Sequence, residues 1–288
     1  NNLDSYDLIV RSPGVKLDFL KNVPQEKITS QTNLFLDLNP GKTIGVTGTK
    51  GKGTTSSLIY EMLKKQGFDA YLGGNIGKPP FEFLDNLNVH TITVLELSSF
   101  QLEDVKKSPN IAVVLMITSE HLMPSKWQTN FHKDISEYIL AKRNILRFQN
   151  EKDFAIINKD YPQSRESDVE TAGKIYFVSR EDEAEQGCFV KQDNIWLRDG
   201  DFEERIINTK DILIPGEHNF ENATAASMAA YLSGVSINNI AYVLKTFKGL
   251  EHRLELVREI NGVKYYDDSI ATNPESAIAA IKAFNNPK

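Results

Sequence analysis

One segment of the sequence combines the residue types needed to hold a polyphosphate: Gly45-Val46-Thr47-Gly48-Thr49-Lys50-Gly51-Lys52-Gly53-Thr54-Thr55. It follows an apolar run and precedes a stretch with helical spacing, the context a phosphate loop requires. Its glycines let backbone N–H groups turn toward phosphate oxygens, and the start of a helix adds partial positive charge there. Lys52 is placed to reach the β- and γ-phosphates, and a hydroxyl just after it to ligate Mg2+. Val46 stands where the general pattern has glycine, and Gly53 where it has serine or threonine, so Thr54 must supply the hydroxyl. The plainer alternative is a glycine-rich turn with no ligand. The loop alone does not identify the nucleotide.

The flanking elements must position such a loop. Thr43 to Thr47 reads as a strand, and Thr54 to Gln66 as a helix with Leu58, Met62 and Leu63 apolar and Gly67 as its C-cap. Strands are expected at Ala70–Leu72, Thr91–Leu97, Ile111–Ile117, Phe154–Ile157 and Lys174–Val178, with a helix at Ser136–Phe148 turning Ile139, Leu140, Ile145 and Leu146 inward. Near-continuous apolar strands separated by helices predict a parallel sheet covered on both faces. Upstream, Tyr6–Val10 reads as a short strand and Thr32–Leu38 as a short helix, closed by Asn39-Pro40-Gly41. After about residue 179 the texture changes. Phe189-Val190 and Ile195–Leu197 suggest a hairpin, Asn219–Leu232 and Ile237–Phe247 helices, Glu255–Ile260 and Val263–Tyr266 a hairpin across Asn261-Gly262, and Pro274–Phe284 a last helix. The expected class is α/β: a mostly parallel sheet flanked by helices and carrying a phosphate loop, plus a smaller hairpin-rich subregion.

Composition narrows the partners. The chain has 288 residues, 40% hydrophobic and 25% charged, enough to bury a core without disulfides or structural metals. Its formal net charge of −6 argues against broad nucleic-acid or anionic-membrane binding. The single cysteine, Cys188, excludes an internal disulfide framework and a CxxC metal site, and fits a reducing cytoplasm. It lies in a strand-like stretch and reads as an inert structural thiol. The longest strictly apolar run, Ile111 to Ile117, is far too short to span a membrane. The chain opens Asn1-Asn2-Leu3-Asp4, with neither a signal-peptide pattern nor an initiator methionine, and is expected to be part of a longer cytoplasmic protein.

Further motifs carry a family resemblance. Gly48-Thr49-Lys50-Gly51-Lys52 resembles the G-T-N-G-K loop of the Mur ligases and the folylpolyglutamate synthases, with Lys50 in place of the usual Asn. Gly53 followed by Thr54 looks more like the folylpolyglutamate version. Later segments resemble Mur ligase motifs: Gly74-Asn75-Ile76-Gly77, Glu96-Leu97-Ser98-Ser99-Phe100-Gln101-Leu102, Gly216 to Asn222, Gly249 to Glu255, and Asp268-Ser269-Ile270-Ala271-Thr272-Asn273. The last is not the D-G-A-H-N-P of folylpolyglutamate synthases. Order and spacing fit the branch of the family that adds D-glutamate to UDP-N-acetylmuramoyl-L-alanine.

The resemblance implies ATP-driven amide formation with Mg2+, in peptidoglycan precursor synthesis, through an acyl phosphate that an amine displaces. By it, Lys52, Glu96, His121 and Lys142 are catalytic. Gly48, Thr49, Lys50, Gly51, Lys52, Gly53, Thr54, Asn219, Asn222, Arg253 and Asp268 bind ATP, and Thr54, Glu96, His121 and a carbamylated Lys142 hold metal ions. Asn75, Ser98, His252 and Thr272 line the muramoyl side. His121 is favoured over His132 for the metal because it sits nearer the end of a strand; Met123–Gln128 between them looks like an insertion. Ile270 occupies a position that is often Lys. Plainer alternatives stay open: a solvated Lys142, a capping Glu96, an early-helix Asn222, and capping or turn roles for Asn75, Ser98 and His252.

The resemblance further implies that residues 1–38 are the tail of an N-terminal domain that binds the UDP substrate, that 39–284 are the central ATP-binding domain, and that 285–288 begin a linker to a third domain. The expected protein is a monomer. The chain by itself is expected to bind Mg-ATP without ligating. The alternatives are a folylpolyglutamate synthase-like ligase and an ATP-binding module without ligase activity.

Overall fold

The structure is a computed structural model that describes residues 3–118, 131–271 and 274–284. His121, Thr272, the insertion at Met123–Gln128 and the linker at 285–288, singled out above, lie outside the described residues. The elements in chain order are β1 (Ile9–Arg11), β2 (Ile28–Ser30), α1 (Gln31–Leu38), β3 (Lys42–Thr47), α2 (Lys52–Gln66), β4 (Ala70–Gly74), β5 (Ile92–Glu96), α3 (Ser99–Leu102), β6 (Ile111–Val114) and α4 (Ile135–Arg147). They continue with β7 (Phe154–Asn158), α5 (Pro162–Arg165), β8 (Lys174–Ser179), β9 (Gly187–Lys191), β10 (Asn194–Asp199), β11 (Phe202–Asn208), α6 (His218–Leu232), α7 (Ile237–Thr246), β12 (Glu255–Ile260), β13 (Val263–Asp267) and α8 (Pro274–Lys282).

Nine strands form the main sheet in the order β11-β10-β9-β8-β7-β6-β3-β5-β4. From β9 to β4 every pairing is parallel, and β10 and β11 add antiparallel strands at one edge. Side chains alternate across a strand, so Ile44, Val46, Val94, Val113 and Ile156 enter one core, under α2, α6 and α7. Leu95, Ala112, Val114, Ala155 and Ile157 enter the opposite core, under α1, α3 and α4. Strands buried on both faces are the physical reason their sequences read as continuous apolar runs. Cys188 sits wholly buried in the first core, and burial pushes its thiol pKa up, as an inert structural cysteine requires.

Two local expectations are corrected, and one strand carried no expectation. The first strand is Ile9–Arg11 rather than Tyr6–Val10, set by its register against β2. Leu140 does not point inward but is 57% exposed. The buried stripe of α4 runs through Tyr138, Ala141, Lys142, Ile145 and Leu146, and residues two apart do not share a helix face. That strand is β11, whose first half, Phe-Glu-Glu-Arg, is exposed and mostly charged, as suits an edge strand where charges discourage further pairing.

Candidate functional site

The loop between β3 and α2 is braced from several sides. Thr49 N donates to Met116 O (2.7 Å), and Thr49 Oγ1 lies 3.0 Å from both Thr118 O and Tyr138 Oη. Lys52, the first residue of α2, donates from Nζ back to Gly48 O (3.1 Å) and Thr49 O (3.0 Å). Lys142 Nζ, buried in α4, donates to the same Gly48 carbonyl at 2.8 Å. Gly51 precedes α2 at φ 84°, a left-handed conformation, and Asn222 Oδ1 occupies the space a Cβ would need. Only glycine fits there. The departure at Gly53 also has a reason: a Cβ there would sit 3.1 Å from Glu96 Oε2 and 3.2 Å from Leu250.

Glu96 ends β5 next to the loop and is 7% exposed. Burial pushes its pKa up, and Lys52, the Asn75 side chain, Arg253 and Lys142 pull the other way. A buried carboxylate at a strand end, sharing its cleft with the Thr54 hydroxyl of α2, is an oxygen donor set that suits Mg2+. Arg253 brings its guanidinium to the same cleft, and its Nε is buried with no hydrogen-bond partner among the described residues.

These groups line one cleft of about 640 Å3. Of the expected residues, Thr49, Lys50, Gly51, Lys52, Gly53, Thr54, Asn75, Glu96, Asn219, Asn222, Arg253 and Asp268 meet there, as does Ile270. Gly48 and Lys142 do not line the cleft; Lys142 braces the loop from behind through the Gly48 carbonyl. Asn219 and Asn222 tie α6 to the loop: Asn222 Nδ2 donates to Asn219 Oδ1 (2.8 Å), Thr55 Oγ1 donates to Asn222 Oδ1 (3.2 Å), and Asn219 Nδ2 donates to Pro215 O (2.6 Å). Asp268 Oδ1 accepts from Leu254 N (3.1 Å), orienting the turn that carries Arg253.

Other expected residues go elsewhere. Ser98 caps α3 in a reciprocal capping box with Gln101, the capping role left open by its sequence. His132 is wholly buried, stacked on Phe100 with ring centroids 4.8 Å apart, and its Nε2 is 2.9 Å from Ser99 Oγ. It packs behind α3 and does not line the cleft.

His252 sits on an exposed turn at φ 62°, with Nδ1 2.7 Å from Asp267 Oδ2. Asp267 is held down at about 2 by this contact, and His252 is raised above its ordinary 6.5. The Asp267 contribution is present above its ordinary 3.8 and lost as pH falls toward about 2, while that of His252 is present below 6.5 and lost as pH rises through its raised value. Intrinsic-rate-corrected hydrogen exchange of the β12–β13 amides should therefore be slowest between about pH 4 and 6.5 and quicken above it. A flat profile, or the same profile in His252→Ala, would exclude this.

The sequence reading missed Tyr161, Arg180, His218 and Glu221, which also line the cleft. Tyr161 and Arg180 follow the carboxyl ends of β7 and β8, where parallel sheets present ligands, and that rule applied to every strand finds them. Burial, helped by Arg253 and Arg180, holds His218 below its ordinary pKa, so it faces the cleft as a neutral ring near neutral pH.

The Mur ligase middle domain matches residues 46–230. The chain belongs to the Mur ligase family. It is 42% identical over 290 residues to a UDP-N-acetylmuramoylalanine–D-glutamate ligase of Acetivibrio thermocellus, covering 99% of this chain and 60% of that protein. A ligase of the same name from a Thermoanaerobacter species is 40% identical, covering 99% of this chain and 62% of that protein. This Mur ligase chain thus spans about three fifths of the length of the curated relatives it matches. MurF of Acinetobacter baumannii shares the fold at TM-score 0.68 and 22% identity, over 88% of this chain and 57% of that one. MurF of Thermotoga maritima, solved in complex with ADP, does so at TM-score 0.62 and 20% identity, over 91% and 64%.

Proposed function

We propose that this Mur ligase chain is the ATP-binding core of a ligase that joins D-glutamate to UDP-N-acetylmuramoyl-L-alanine in the cytoplasm, a step of peptidoglycan precursor synthesis. The observation that carries the reading is the convergence of the Lys52 loop, Glu96 and Arg253 on one cleft. The names of the relatives support the choice of substrates. Residues 1–38 then belong with a preceding UDP-substrate domain, and 39–284 form the ATP-binding domain.

The chemistry must bring two anions together. The substrate carboxylate attacks the γ-phosphorus of ATP, the bond to ADP breaks, and the amine of D-glutamate then displaces phosphate from the acyl phosphate. Positioning and positive charge therefore matter more than a covalent nucleophile. Lys52 and Arg253 supply fixed cations around the transferred group, and the braced loop holds its geometry. Thr54 and Glu96 are the residues that would hold Mg2+, with His121 as a further candidate ligand. Bound Mg2+ would neutralise phosphate charge as it develops. Lys142 is the candidate for carbamylation. Its ammonium donates to Gly48 O, and a carbamate would keep one N–H on Nζ for that bond while adding two acceptor oxygens.

The test is a ligation assay on the native gene product that carries this chain, with ATP, UDP-N-acetylmuramoyl-L-alanine and D-glutamate. ADP release should require both other substrates, and Glu96→Gln should lower turnover on the order of 100-fold or more. ADP release indifferent to D-glutamate, or full turnover in Glu96→Gln, would overturn the assignment.

A further inference from the structure

Behind the phosphate loop, away from the cleft, stands a group of buried side chains from α4 and the segment before it. Tyr138 and Lys142 lie four residues apart on α4 and share its buried face. Tyr138 is 0% exposed. Its ring packs edge to face with that of His132, centroids 5.3 Å apart, and the Lys142 ammonium lies 4.6 Å from its centroid, within cation–π range. A buried ring gripped by two neighbours cannot turn freely, so its hydroxyl has a fixed aim.

That hydroxyl reaches Thr49, whose polar groups are all engaged by the protein. Thr49 N donates to Met116 O (2.7 Å), and Thr49 O accepts from Lys52 Nζ (3.0 Å). The Thr49 hydroxyl has one hydrogen and two lone pairs to place. Thr118 O takes the hydrogen (3.0 Å), and Thr118 N donates to one lone pair (2.9 Å). The second lone pair faces Tyr138 Oη at 3.0 Å, so Tyr138 is the donor of that bond. The Thr49 side chain is thereby saturated and keeps no valence for a nucleotide. What it can offer a polyphosphate is the placement of the backbone on either side of it. On one side is Gly48, whose carbonyl receives Lys52 and Lys142, and two residues on is the left-handed Gly51.

We propose that Tyr138 is a positioning residue for the phosphate loop: by donating to Thr49 Oγ1 it holds the backbone from Gly48 to Gly51 in the curve that a polyphosphate requires. A loop held in its binding shape beforehand spares the ligand the cost of ordering it. Tyr138 does not line the cleft and touches no substrate; it acts through Thr49 alone. An aromatic residue on the apolar stripe of a helix reads as core, and only the packing of α4 behind the loop gives its hydroxyl this partner. The inference rests on the nucleotide reading proposed above and adds a residue that serves the phosphates from outside the cleft.

The experiment is calorimetry on the 288-residue chain with Mg-ATP and with Mg-tripolyphosphate, which carries phosphates without sugar or base. Four proteins are compared: the parent, Tyr138→Phe, Thr49→Val and the double variant. Phenylalanine keeps the ring and removes only the hydroxyl, leaving a buried lone pair on Thr49 unpaired, so Tyr138→Phe should weaken both ligands about tenfold and by the same factor. Thr49→Val should weaken both at least as much, and adding Tyr138→Phe to it should cost nothing further, because the tyrosine then has no hydroxyl to hold. A tyrosine that served stability alone would lower the melting midpoint and leave the affinity of the folded protein unmoved. Parental affinity in folded Tyr138→Phe therefore overturns the proposal, as do losses that multiply in the double variant or a loss seen with ATP but not with tripolyphosphate. Each of these results leaves the nucleotide reading intact. Should Tyr138→Phe fail to fold, Thr49→Val tests the same bond from its other end, and parental affinity there overturns the proposal. Failure of the parent to bind either ligand overturns both.

Discussion

Lys52→Ala is expected to abolish measurable Mg-ATP binding by this chain. Lys52 opens α2, and its ammonium stands over the loop, bonded to the carbonyls of Gly48 and Thr49. An ammonium near a phosphate oxygen at about 4 Å gains about 4 kcal/mol at an effective dielectric near 20, or ~1,000-fold in affinity. The alanine variant also loses the two carbonyl bonds that help shape the loop. The fold should survive, because Lys142 still holds Gly48 O and Thr49 is still anchored to Met116 and Thr118. Calorimetry with Mg-ATP, together with thermal melts of both proteins, checks this. A folded Lys52→Ala with parental affinity would sink the phosphate-loop assignment.

Arg11→Ala is expected to be the most destabilising single change in the first forty residues. Its side chain is 0% exposed. Arg11 Nε donates to Asp104 (2.8 Å), Nη1 to Glu103 (3.0 Å) and Val15 O (2.8 Å), and Nη2 to Phe100 O (2.8 Å). Removing the guanidinium leaves two neighbouring carboxylates, themselves largely buried, without their shared cation. Breaking a buried ion pair from one side costs about 3–5 kcal/mol, and for a chain of this size that lowers the melting midpoint by roughly 10 °C. The triple variant Arg11→Ala, Glu103→Gln, Asp104→Asn should recover part of the loss, because it removes the repulsion. A midpoint for Arg11→Ala within about 2 °C of the parent would show that the network carries no net stability. The change also bears on the site, since Phe100, Glu103 and Asp104 follow directly from Glu96 through α3.

Much of this was legible residue by residue. The glycines and lysines of the loop, the C-cap at Gly67 and the apolar strands from β3 to β8 are local signals, and each element appears within a few residues of its expected place. Lys142 shows the limit. Its helix position was readable, but whether it was solvated or buried beneath Gly48 depends on what α4 packs against. Ser98 and His252 illustrate the converse: their motif context suggested substrate contacts, while the fold commits one to capping α3 and the other to an exposed pair with Asp267.

The sequence by itself determined the kinds of elements, the phosphate loop and the family, because periodicity, turn chemistry and motif order are encoded in neighbouring residues. Only the tertiary structure decided which strand ends share a cleft. The sheet inserts β3 between β6 and β5, so residues as distant in the chain as Lys52, Tyr161, Arg180, Glu221 and Arg253 converge on one cleft. Strand order is set by long-range packing of both faces, and no local pattern specifies it.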